Sequence, residues 1–142
     1  MDKTIESLQM RVLPLFKERS DSAEFYSMLV HFIDLLENAP IPLLASDYCY
    51  DVAIPRIPQN SVRVWFRPRA FGLAAYDNYV IVLDLEYDLV TKVANIRVLR
   101  GHKNAEGKYI THITDYTGPK PVIYNLVDQA FVHLQVLYST PT

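Results

Sequence analysis

The sequence predicts an α+β domain in which helices pack on one face of an antiparallel sheet of about five strands, in the order α-α-β-β-β-β-β-α. Three observations predict it. Apolar residues recur every three or four positions before residue 38 and again after residue 121, they alternate with polar residues in between, and Pro, Gly and Asn cluster where the period changes. With the helices segregated to the two ends of the chain, layer packing sets them against one side of the sheet.

Residues 4–19 place Ile5, Leu8, Val12, Leu15 and Phe16 on one stripe, a helix with Pro14 as a defect in it. Asp21 followed by Glu24 has the spacing of a capping box and starts a second helix, 23–38, with the stripe Phe25, Leu29, Phe32 and Leu36. Asn38-Ala39-Pro40-Ile41-Pro42 stops it, because proline removes a backbone donor and disfavours the helical conformation of the residue before it. Strands are expected at 48–54, 61–67, 79–87, 92–99 and 108–115, with Asn104-Ala105-Glu106-Gly107 as the turn between the last two. After Pro119 and Pro121 a long final helix carries Ile123, Leu126, Val127, Ala130, Phe131, Leu134 and Leu137. Val132, Val136 and Tyr138 widen its apolar arc beyond what one sheet face needs, which points to a homodimer.

The chain has 142 residues, half of them apolar and 21% charged, so it can bury a core and folds as one domain, 1–142. Its apolar runs are far shorter than the roughly 20 residues that cross a bilayer, and its start lacks the apolar stretch of a secretory signal. A lone Cys49 forms no internal disulfide, which together with the missing signal predicts a cytoplasmic protein with no membrane contact. The net charge is −2, but the acids and bases fall in blocks of alternating sign: residues 52–76 carry four Arg and no acid, and 77–88 carry four acids and no base.

In the strand around Asp84, the side chains of Asp84, Glu86 and Asp88 share one face. An apolar strand ending in Asp84-Leu85-Glu86 resembles the first motif of the ribonuclease-H-like exonucleases; the resemblance implies a pair of metal ions that activate water and a nuclease in which Asp84, Glu86 and Asp88 are ligands. Asn125-Leu126-Val127-Asp128 departs from the spacing of that superfamily's second acidic motif, and no later His-to-Asp pair follows at suitable spacing. The competing expectation pairs these acids with Arg63 and Arg67 of the preceding strand and Arg97 of the following one, a surface charge ladder worth about 0.2–1 kcal/mol per pair.

Trp65-Phe66-Arg67-Pro68-Arg69-Ala70-Phe71-Gly72 holds the only Trp of the chain, two Phe and two Arg. Trp and Arg anchor protein interfaces because they combine large area, a rigid donor fork and cation–π stacking. Strand alternation sends Val62, Val64 and Phe66 to the core and Trp65, Arg63 and Arg67 to the opposite face, so the expected partner surface is Trp65, Arg67 and Arg69 flanked by Arg63 and Tyr76. The acidic balance argues against nucleic acid as the partner. His31, His102, His112 and His133 show no metal-ligand spacing, Cys49 has no nearby base to activate it, and the four glycines form no phosphate loop. No cofactor, metal or catalytic residue is expected. The reading is a small non-enzymatic protein-interaction module, an adaptor, a chaperone-like protein or an inhibitor encoded by a virus or mobile element. The alternatives are the metal nuclease above and a small-molecule-binding domain with a pocket between the final helix and the sheet.

Overall fold

Alternation of period two builds the centre of the molecule: β1 (Tyr50–Ala53), β2 (Ser61–Phe66), β3 (Tyr79–Asp88), β4 (Val93–Lys103) and β5 (Tyr109–Pro119). The strands lie in sheet order β1-β2-β3-β4-β5 and every neighbouring pair is antiparallel. The computed structural model describes residues 5–6, 8–38, 50–53, 60–66 and 79–139, and for 50–53, 79–80 and 138–139 the backbone alone. Among the described residues no helix is long and apolar enough to cross a membrane.

Alternation divides the sheet into two faces. Val62, Val64 and Phe66 of β2, Ile81, Leu83 and Leu85 of β3 and Ala94, Ile96 and Val98 of β4 are buried on the inner face. Burial of each large side chain contributes roughly 1.5–3 kcal/mol. The helices α2 (Ala23–Glu37) and α3 (Ile123–Ser139) cover that face: α3 lies against β4, β5 and α2, and α2 meets β3. Phe32 and Phe131 join the two helices edge to face, with ring centroids 6.4 Å apart. Gly118 lets the start of α3 approach β5, since a Cβ there would lie 2.5 Å from a Val122 methyl.

The N-terminal element differs from the single helix expected over 4–19. Leu8–Val12 forms a π-helical turn that runs into a five-residue helix, α1 (Leu13–Lys17), with Pro14 in its first turn. Proline cannot donate to the carbonyl one turn back and its ring crowds that carbonyl, so regular α-helix does not pass through this point. The expected stripe still reaches the core, with Leu8, Val12 and Phe16 buried and Phe16 edge-on to Phe25 at 4.8 Å. Leu15, read as part of that stripe, is exposed.

The capping box at Asp21 and Glu24 also does not form. Ser22 is the N-cap residue, with no side-chain hydrogen bond to the helix. It is fully buried and donates instead to Asn60 Oδ1 at 2.7 Å, while Asn60 Nδ2 donates to the Asp21 carbonyl at 3.2 Å and the Asn60 carbonyl accepts from the Tyr87 amide at 2.9 Å. The start of α2 is thereby tied to β2 and β3, so a tertiary clamp has taken the place of the local cap. The β4–β5 hairpin runs further than 92–99 and 108–115. Asn104 Oδ1 accepts the amides of Glu106 and Lys108, and Gly107 takes φ +79°, so the ladder continues to the turn itself. Residues 48, 49, 54 and 67, expected at the ends of the first two strands, lie outside the described residues.

Candidate functional site

The outer face of the sheet carries the sequence-predicted site. No helix among the described residues packs on it. Register places Arg63 opposite Asp84, Asp84 opposite Arg97 and Arg97 opposite Asp115, one row of alternating charge across four strands. Two bidentate pairs form within it. Arg63 donates to both oxygens of Asp84 at 2.7 and 2.8 Å, and Arg97 to both oxygens of Asp115 at 2.8 and 3.3 Å. Bonding to Asp84 raises the Arg63 pKa above its usual value, and bonding to Arg97 holds Asp115 below the usual carboxylate range. The Arg63 guanidinium also stands over the Trp65 ring, 5.7 Å from its centroid.

The neighbouring row is apolar. Trp65 faces Val82, Val82 faces Leu99 and Leu99 faces Ile113 across the same four strands. Tyr109 continues this patch on β5, its ring lying over Gly101 where a Cβ would collide with it. Tyr109 is 51% and Ile113 53% exposed, whereas Val82 is buried and Trp65 and Leu99 are half-buried. A strip of aromatic and branched side chains therefore runs beside a row of neutralised charge. Of the expected partner surface, Arg63 and Trp65 stand together here, and Arg67, Arg69 and Tyr76 lie outside the described residues, as does Cys49.

The three acids of β3 hold separate structural posts. Asp84 takes Arg63. Asp88 accepts the amides of Val90 and Thr91 at 2.8 and 3.0 Å, closing the β3–β4 turn, and these bonds, Thr91's first, lower its pKa. Glu86 stands opposite Asn95. Among the described residues no group of three His, Cys, Asp or Glu side chains is placed to hold a metal ion.

A second polar cluster, on the inner face beyond the core, was invisible to spacing rules. Arg100 lies opposite His112 in the β4–β5 ladder, and His102 stacks on His112 with centroids 5.6 Å apart and planes 6° from parallel. His133 of α3 comes down beside them, its Nδ1 3.0 Å from the Tyr116 hydroxyl. Burial, and then the Arg100 charge, lower the His133 pKa, so the neutral ring is favoured. On the outer side of α3, His31 Nε2 and Asp128 Oδ1 are 2.7 Å apart, with Tyr124 beside the imidazole. The signal that could have found the cluster is hairpin parity. A turn centred on residue 106 pairs 100 with 112, and both then share the inward side with Ile96 and Val98.

No family, curated protein or solved structure matches the chain.

Proposed function

We propose that this chain is a small non-enzymatic interaction module that receives a partner protein on the outer face of its sheet, centred on Trp65 and running along Leu99 and Ile113. The observation that carries the reading is the apolar cross-strand row beside bidentate ion pairs. Charges already matched within the chain present a near-neutral rim, and the contact energy is left to the aromatic and branched side chains. The partner surface this fits is itself apolar at its centre and free of excess charge. Arg67, Arg69 and Tyr76, which lie outside the described residues, belong to the proposed surface by the sequence reading, and a cytoplasmic setting is part of the same reading. Its test compares wild type with Trp65→Ala and Ile113→Asp in binding a partner identified by crosslinking in the native host. The proposal predicts that both substitutions remove binding while circular dichroism shows the fold intact, and retained binding by both overturns it.

A homodimer is the second reading, favoured by Val132 and Val136 of α3, which are 57% and 53% exposed. Tyr138, expected beside them, has no described side chain. Light scattering at high concentration that returns twice 16.4 kDa supports a dimer, and a mass of 16.4 kDa removes it.

A further inference from the structure

Where α3 crosses the β4–β5 ladder, the inner face leaves a recess of about 240 Å³ lined by Val98, Arg100, His112, Thr114, His133 and Leu137. Among the described residues it holds one guanidinium, two imidazoles and a hydroxyl, and no carboxylate. Arg100 Nε is buried there with no hydrogen-bond partner among the described residues. A buried donor on a cation is costly to leave unmatched, whereas on the outer face even the solvent-exposed Arg63 and Arg97 have their carboxylates, Asp84 and Asp115. Across the β4–β5 ladder from Arg100 stands His112, which can donate but brings no negative charge. An anion would supply both the missing acceptor and the missing charge.

We propose that this recess binds a small organic anion, its carboxylate or phosphate head against Arg100, His112, Thr114 and His133 and its apolar end against Val98 and Leu137. A guanidinium fork with imidazole and hydroxyl donors is the donor set that oxyanions take, and the volume suits a molecule smaller than a drug-sized ligand. His133 also lines an open groove of about 540 Å³ between α3 and β5, together with Tyr116, Asp128, Gln129, Val132 and Val136. The carboxylate of that groove, Asp128, is held by His31. Burial is the larger cause of the lowered His133 pKa, and the nearby Arg100 charge adds to it. A second copy packed on Val132 and Val136 would roof the groove without filling the recess, because neither residue lines it.

The test titrates full-length protein with three probes, phenylacetate, phenyl phosphate and the neutral phenylacetamide, and follows the imidazole resonances of His112 and His133 by NMR together with affinity by calorimetry. The proposal predicts that at least one anion binds and shifts both imidazoles, that phenylacetamide binds at least about tenfold more weakly, and that Arg100→Gln weakens the anion by about tenfold or more while Arg97→Gln, on the opposite face, does not. Carboxylate or phosphate is assigned by which probe binds more tightly. The comparison of anion with amide uses wild-type protein alone, so a folding defect in Arg100→Gln leaves the proposal open to refutation. Equal binding of amide and anion, no imidazole shift with either anion at about 10 mM, or undiminished affinity in folded Arg100→Gln each overturns it.

Discussion

The two faces of the sheet solve the same problem, polar side chains on strands, in opposite ways. On the outer face each arginine of the central row meets a carboxylate two oxygens wide, Arg63 with Asp84 and Arg97 with Asp115. On the inner face, the polar residues of β4 and β5 past the core are Arg100, His102, His112 and Thr114, all donors or switchable groups, with no acid among them. Charge on the outer face is matched in register, so it supports the sheet and frees the adjacent apolar row for contact. On the inner face the Arg100 charge meets no carboxylate among the described residues and sits in a recess. The difference teaches that paired charge here marks scaffold and unpaired charge marks a place for something else to bind.

Substitutions on the two faces should therefore separate in kind as well as size. The largest effect belongs to the inner core: Leu83→Ala, fully buried at the middle of β3, should lose about 2–5 kcal/mol of stability in urea unfolding. Ile113→Ala on the outer face should lose less than about 1 kcal/mol, in keeping with its exposure. The two glycines within the strands of the hairpin, Gly101 and Gly118, provide the next contrast. Gly118→Ala drives a methyl into Val122 under α3 and should cost about 1–3 kcal/mol, whereas Gly101→Ala meets the half-exposed Tyr109 ring, which can swing away, and should cost less. A larger loss at Gly101 would show that the Tyr109 cover is part of the scaffold.

Arg63→Gln should change stability by no more than about 1 kcal/mol, because its ion pair with Asp84 is open to solvent, and a double-mutant cycle with Asp84→Asn measures the pair directly. The smallest effect is a pH dependence of the same sign but in different pH windows at the two faces' titrating groups. His133 has its folded pKa depressed, so the unfolded chain takes up its proton first as pH falls below about 6.5, and stability drops from there toward the lower folded value. Above that window the contribution is fully present. Asp115 also has a depressed folded pKa, so its contribution is present above about pH 3.9 and is lost only on further acidification. His133→Gln should flatten the slope of stability between pH 5 and 7 without touching the acid limb; an unchanged slope places the neutral-pH titration elsewhere.

The elements with strong periodicity were legible because one physical rule governed each of them. Phe25, Leu29, Phe32 and Leu36 follow one helical face, and Val62, Val64, Phe66 follow one pleat, so period alone located α2 and the inward side of β2. Hairpin pairing of opposite blocks of charge also followed from alternation, and Arg63 with Asp84 is its outcome. What sequence could not give was decided at long range. Ser22 abandons a local cap because Asn60, distant in the chain, offers a buried partner. Leu8–Val12 leaves α geometry because Pro14 acts against a stripe that still has to reach the core. The His-Arg recess is not legible in the spacing of the histidines along the chain, because their convergence depends on the hairpin register and on α3 crossing it.

The central claim, that Trp65 is held on a finished scaffold in order to bind, is tested most directly by measuring one variant twice. For Trp65→Ala, the affinity for the identified partner by calorimetry and the free energy of unfolding in urea are compared with wild type. The account predicts a loss of affinity of at least about thirtyfold together with a change in unfolding free energy below about 1 kcal/mol. Unchanged affinity with a stability loss of about 2 kcal/mol or more would contradict it and make Trp65 a cover for the sheet.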